Sequence, residues 1–275
     1  MLLKKSLIIA CCVFSSSVFA TRWFEAEVLI FKQRPAPYLQ EDFSLKYDQI
    51  KTQNSKDLLT PAFIEHARQD CLNGDRRLNT DSLTEQLTAN HPHSNVCDDS
   101  IDFMASYSML PVIPYAKVRE DTEQIYLLAP EQLQFAQQRQ QLDRKGLTPL
   151  LHTGWRFPEA SKAAADSIKL FAGQRLSTQQ NHDQYADLLD LVTANKQAFP
   201  VITHTTPSWE LTGLMKIYVR HYLYINADFD ISKKLANGDY EKARFSQFKR
   251  VISGEIHYFD HPRMGMIVQI RRYNH

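Results

Sequence analysis

The segment Leu214–Asp228, LMKIYVRHYLYINAD, alternates in polarity over fifteen residues. Met215, Ile217, Val219, Leu223, Ile225 and Ala227 fall on one side, with His221 the single exception. Lys216, Tyr218, Arg220, Tyr222, Tyr224, Asn226 and Asp228 fall on the other. Side chains two apart share a face only in extended chain, so the run predicts a long strand, 214–228, with one buried side. Trp23–Gln33 repeats the pattern. Phe24, Ala26, Val28 and Ile30 form one face, and Trp23, Glu25, Glu27, Leu29 and Phe31 the other, until the RPAPY segment ends the strand.

The C-terminal end carries two more alternating runs, Arg250–Phe259 and Met264–Tyr273. Asp260-His261-Pro262-Arg263 lies between them, which predicts an antiparallel hairpin over 250–273 with Asp260 and His261 setting the turn, Asp260 by bonding nearby backbone N–H groups. Shorter strands are expected at 125–128, 147–157 and 167–172. Helices are expected around 57–70, 82–89 and 185–195, and over Glu131–Lys145, where a thin apolar stripe predicts a surface helix stopped by Gly146. The reading is an α+β fold: a mostly antiparallel sheet with helices packed on it. No internal repeat and no Pro-, Gly- or Ser-rich linker divides the chain, so 21–275 is expected to be a single domain. Its polar, irregular stretch at about 40–110 reads as an insertion.

Residues 1–20 stand apart from this fold. Lys4 and Lys5 precede an apolar run, Leu7–Phe14, then three serines and Val18-Phe19-Ala20. That is the layout of a cleaved export signal, with cleavage expected after Ala20. A rival reading takes Ile8-Ile9-Ala10-Cys11 as a lipidation site; the apolar run before Cys11 is short for it. Both readings export the chain. The apolar stretch is too short for a stable membrane anchor, and the expected location is the periplasm.

Of four cysteines, Cys71 and Cys97 remain after cleavage. Two cysteines in an oxidising compartment most simply form one disulfide, here stapling the polar insertion. The alternatives are two separate thiols, or a zinc site with His91 and His93, for which no CxxC or HxxxH spacing exists.

Charge excludes several functions. Lys+Arg number 32 against 31 Asp+Glu, which gives no general attraction to nucleic acid. With only 8 glycines and neither GxxxxGK nor GxGxxG, a P-loop or dinucleotide site is not expected, and no cofactor is implied.

RWFEAEVLIFKQ near the start, LLHTGWRFP in the middle, LMKIYVRHYLYINADF after Trp209 and Gly213, and GEIHYFDHPRMGMIVQIRRY at the end occur in this order. Together they resemble the CsiV family of periplasmic peptidoglycan-binding proteins of Gram-negative bacteria. The resemblance covers most of 21–275 and is poor over 40–110. It implies a non-enzymatic role in cell-wall synthesis and cell shape: binding peptidoglycan and supporting a bifunctional penicillin-binding synthase with its outer-membrane lipoprotein activator. It carries over no catalytic residues.

The residues themselves offer ligand-binding candidates. Lys216, Tyr218, Arg220, Tyr222 and Tyr224 share the polar face of 214–228. Aromatic faces suit sugar rings, and Arg or Lys suit the carboxylates of wall stem peptides. The plain alternative is an ordinary solvated strand face. Glu255, His257, Arg271 and Tyr273 are further candidates, or else cross-strand Glu–Arg and His–Tyr pairs of the hairpin. A metal site of His257, Asp260 and His261 has no supporting spacing. A wall hydrolase would need two carboxylates, for which Glu25 or Glu27 opposite Glu255 are the candidates. Serine chemistry lacks both GxSxG and SxxK. A third reading is an envelope adaptor that uses 40–110 to bind another protein.

Overall fold

The computed structural model describes residues 21–34, 50–73, 101–121, 123–176, 208–235 and 240–274, with the isolated positions Asp48, Cys97 and Gly238. The export signal at 1–20 and the helices expected at 82–89 and 185–195 lie outside the described residues.

Ten strands and two helices follow in order: β1 (Trp23–Lys32), β2 (Lys56–Asp57), α1 (Leu59–Leu72), β3 (Tyr126–Leu127), α2 (Ala136–Arg144), β4 (Thr148–Pro158), β5 (Ser167–Leu176), β6 (Ser208–Val219), β7 (Leu223–Lys234), β8 (Tyr240–Val251), β9 (Ile256–His261) and β10 (Met264–Tyr273). They form two five-stranded sheets rather than one. The first runs β3-β4-β1-β10-β9 and the second β2-β5-β6-β7-β8. Strand pairs are antiparallel except β2 with β5.

The alternation seen in the sequence decides which side chains go inward. From the first sheet, Phe24, Ala26, Val28 and Ile30 of β1 join Val268 and Ile270 of β10. From the second come Leu211, Met215 and Ile217 of β6, Ile225 and Phe229 of β7, and Phe245 of β8. All belong to one hydrophobic cluster. The opposite side of β1 is also covered. Leu29 and Phe31 cluster with Phe135 and with Leu142 of α2. The thin apolar stripe of α2 thus amounts to one buried residue, Leu142. The helix starts later than expected because Pro130 opens a short 3-10 turn and Leu133 is extended.

The largest departure concerns 214–228, which is not one strand. Arg220, His221 and Tyr222 form a turn, and β6 and β7 pair as a hairpin, Val219 opposite Leu223 and Tyr218 opposite Tyr224. The 250–273 hairpin also shifts. Arg250 belongs to β8 of the second sheet, which ends at Val251, and the hairpin proper is β9–β10, turning at Pro262-Arg263. Its turn is braced by His261, whose Nδ1 accepts from the Arg263 N–H at 3.2 Å. Asp260 instead accepts from the Tyr258 hydroxyl at 2.8 Å and from Gln33 at 3.0 Å.

The stretch 40–110 contributes more than an irregular insertion would. Leu59 and Phe63 of α1, with Phe103, Tyr107 and Leu110, are part of the shared core. Asp57 fixes the start of α1, accepting from the N–H groups of Leu59 and Thr60 at 3.1 and 2.9 Å. Cys71, on the last turn of α1, is joined to Cys97 with Cα atoms 6.0 Å apart.

Glycine is demanded at one close approach. A Cβ on Gly213 of β6 would stand 2.2 Å from the Asp228 carbonyl oxygen and 2.4 Å from the Phe229 ring.

Candidate functional site

From Thr212 onward, the hairpin β6–β7 and strand β8 turn their even-numbered side chains to the outer face of the second sheet, opposite Met215, Ile225 and Phe245. Tyr218 and Tyr224, paired across the hairpin, stack with ring centroids 5.3 Å apart and planes at 19°. Tyr224 stacks in turn on Phe248 of β8, at 5.6 Å and 4°. Three rings therefore run across three neighbouring strands at offset-stacking distance. Stacking uses up the inner faces. Tyr218 closes one end and is 6% exposed, whereas Phe248 is the last ring, on the edge strand, and is 61% exposed. Beside it Tyr222, at 52%, lies under the Arg250 guanidinium, whose Cζ is 4.5 Å from the ring centre. Arg220 is exposed in the turn, and Lys216 and Asn226 face each other across the hairpin. The face presents flat apolar rings, guanidinium and ammonium groups, and an amide together.

Five of the nine expected ligand-binding residues, Lys216, Tyr218, Arg220, Tyr222 and Tyr224, are thus gathered at one end of the second sheet. The turn makes their neighbourhood a hairpin rather than a line. Phe248 and Arg250 complete the set and were not foreseen. Their signal was present: in β8, Ala243 and Phe245 alternate with Arg244, Ser246, Phe248 and Arg250. The single strand expected over Arg250–Phe259 spans the β8–β9 junction, with Arg250 in β8 and Phe259 in β9.

The other four candidates are not brought to this face. Glu255 sits in the β8–β9 turn, and His257 braces the same turn, its Nε2 accepting from the Ile252 N–H at 3.1 Å. His257 stands opposite Val268 on the core-side face of β9–β10, while Arg271 and Tyr273 belong to the other face. The expected cross-strand Glu255–Arg271 and His257–Tyr273 pairs are therefore not the ones formed. Arg271 turns to β1, with Nη1 2.7 Å from Glu27 Oε2 and Nη2 3.5 Å from Glu25 Oε2. Tyr273 lies under the Arg156 guanidinium, 3.4 Å from Cζ to ring centre, and donates to the Glu120 carbonyl at 3.1 Å.

Glu27 is the hub of this second constellation and is fully buried. Its Oε1 accepts from the Gln134 and Phe135 N–H groups, both at 2.7 Å, and lies 2.9 Å from His152 Nε2. The carboxylate thus occupies the N-terminal end of α2, where free N–H groups converge. Burial pushes its pKa up, but hydrogen bonds from His152, Arg271 and the two backbone groups outweigh burial and hold it below the ordinary carboxylate value. Glu25 pairs with Arg156 at 2.5 Å. A wall hydrolase needs a carboxyl that keeps its proton near neutral pH. Glu27 is held ionised instead, Glu25 is taken up by arginines, and β10 separates both from the strand that follows Glu255. The two carboxylates that a hydrolase reading would need are not brought together from these residues.

Among the described residues no group of three or more His, Cys, Asp or Glu side chains could hold a metal ion, so His257, Asp260 and His261 do not form a metal centre. No helix among the described residues is long and apolar enough to cross a membrane.

The fold and its outer face define a two-sheet, mostly antiparallel protein that displays an aromatic and cationic surface. The chain belongs to the CsiV family: the family model described as "Peptidoglycan-binding protein, CsiV" matches residues 2–273. No curated protein and no solved structure matches it.

Proposed function

We propose that this protein is a non-enzymatic periplasmic peptidoglycan-binding protein, and that the Tyr218–Tyr224–Phe248 face with Tyr222 and Arg250 is where it meets the wall. In this reading it supports synthesis by a bifunctional penicillin-binding synthase and that enzyme's outer-membrane lipoprotein activator. Family membership supplies the class of ligand. The observation that carries the site is the exposure of Phe248 at the open end of a ring stack. A ring held rigid by a neighbour loses little freedom when a sugar covers its free face, so the contact costs little conformational entropy. Arg250 and Lys216 supply cations for wall carboxylates, Arg250 with a planar fork able to bind one bidentately.

The test is cosedimentation of the mature chain with purified sacculi, beside an assay for released muropeptides. Phe248→Ala and Tyr222→Ala should each weaken retention, by more than about 1 kcal/mol if they are anchors. Tyr218→Ala is a poorer probe, because that ring is buried and its loss leaves a hole. Release of muropeptides would favour a hydrolase. Absence of retention, with capture of an envelope protein instead, would favour the adaptor.

A further inference from the structure

Toward its other end the same outer face of the second sheet is covered by α1 and by the segment 101–104, and a cleft of about 580 Å³ opens between them. Its apolar floor and wall are Phe171 and Trp209, stacked at 6.2 Å, with Ile64 and Met104. Its rim carries four charged side chains, and two of them are already matched. Lys169 pairs with Asp57 at 3.1 Å and Asp230 with Arg244 at 2.7 Å. Two are left. Lys242 is exposed and has no ion pair among the described residues. Asp102 is exposed and spends one oxygen, Oδ1, on the Ala105 N–H at 3.1 Å.

These two stand on opposite walls. The segment carrying Asp102 is tied to β5, because Arg175 Nη2 donates to the Met104 carbonyl at 2.6 Å. Lys242 lies on β8, with β6 and β7 between. Three strand spacings amount to about 14 Å. Four residues of extended chain span about 13–14 Å. An apolar floor with a carboxylate at one side and an ammonium at the other suits a short peptide that carries both charges, with aliphatic side chains between. The volume lies in the range of small-ligand sites.

The geometry points to this cleft as a subsite for the stem peptide of peptidoglycan: Lys242 receives a peptide carboxylate, Asp102 the free side-chain ammonium, and Phe171, Trp209 and Met104 the methyl and methylene groups. This rests on the wall-binding reading above and extends it. Lys169, at the near edge of the cleft, is level with Leu214 on β6, four residues from Tyr218. That is about 13 Å along the strand, within reach of a stem peptide whose sugar lies on the ring stack.

The test uses the mature chain and two probes, titrated calorimetrically: the sugar-free tetrapeptide L-Ala-γ-D-Glu-meso-diaminopimelate-D-Ala, and glycan strands stripped of their peptides. The tetrapeptide should bind the parent. Lys242→Gln and Asp102→Asn should each weaken it at least tenfold, and Thr212→Trp, which places an indole in the cleft that Thr212 also lines, should abolish it. The exposed Lys162→Gln is the control for loss of a positive charge and should bind like the parent. Acetylating the diaminopimelate amine should weaken binding to the parent and make Asp102→Asn silent. No binding of the tetrapeptide, or binding that Lys242→Gln and Asp102→Asn both leave intact, overturns the inference. Stripped glycan separates the two claims: glycan retained by the parent without tetrapeptide binding removes the stem-peptide subsite and leaves wall binding standing, whereas failure of glycan and of sacculi removes the wall-binding reading itself.

Discussion

Glu27 and Arg271 meet at 2.7 Å although 244 residues separate them. The contact ties the first strand to the last, and the same carboxylate takes the N–H groups at the head of α2. Residues at these positions looked suited to chemistry or ligand binding; in the folded chain they hold β1, β10 and α2 to one another.

Removing the charge of Glu27 should therefore cost stability. Glu27→Gln leaves Arg271 only the more distant Glu25 carboxylate, beside the Gln269 amide, among the described residues and deprives the α2 N-terminus of its anion, and breaking a buried ion pair costs about 3–5 kcal/mol. Urea unfolding of the variant should show a midpoint shifted down with little change in slope. An unchanged midpoint would mean that a neutral amide serves at this position as well as the carboxylate.

The same group predicts the direction of acid sensitivity. Its folded pKa is depressed below the ordinary value of 4.5. The unfolded chain therefore takes up the proton first as pH falls, and stability from Glu27 is full above about pH 4.5 and is lost as pH drops below that value toward the folded pKa. Unfolding free energies measured from pH 7 to pH 3 should fall in that lower window, and the fall should be smaller in Glu27→Gln. A parent and variant with parallel pH curves would remove Glu27 as the cause.

The Cys71–Cys97 bridge closes a loop with a sequence separation of 26 and pins the end of α1. In the chain-entropy model such a loop is worth about 3–4 kcal/mol. Cys71→Ser with Cys97→Ser should lower the melting temperature. Thiol labelling of denatured, unreduced parent should find neither cysteine free, and two labelled thiols would refute the bridge.

Arg250 gives a binding prediction with a different readout. If it pairs with a wall carboxylate, Arg250→Gln should weaken sacculus retention at low salt and flatten its decline as salt is added, because the pair is exposed and screened. Phe248→Ala should lower retention at every salt concentration without altering that slope. Equal slopes for parent and Arg250→Gln would take the carboxylate contact away from this residue.

Period-2 alternation determined, from sequence alone, which side of each strand is apolar. Phe24, Ala26, Val28 and Ile30 are all in the core, as are Met215, Ile217, Leu223, Ile225 and Ala227. It did not determine where a strand stops. The turn Arg220-His221-Tyr222 has three residues and neither Gly nor Pro, so Val219 and Leu223 on its two sides pair directly. Both keep the same parity, and the alternation passes through the turn unbroken except at His221, the one polar residue on the apolar side. The pairing of Cys71 with Cys97 was legible because the other two cysteines, Cys11 and Cys12, fall in the expected leader. Only tertiary structure decided the fate of the charged residues. Alternation gives Glu25, Glu27, Arg271 and Tyr273 a face but no partner. Partners depend on which strands lie side by side and on what covers them, here β10 and β4 flanking β1 with the head of α2 above Glu27. Hydrophobic burial is set by the solvent and needs no particular neighbour, whereas ion pairs and ring stacks are short-ranged and directional. The core was therefore written in the local pattern, and Phe248 met Tyr224 only once β8 had been laid beside β7.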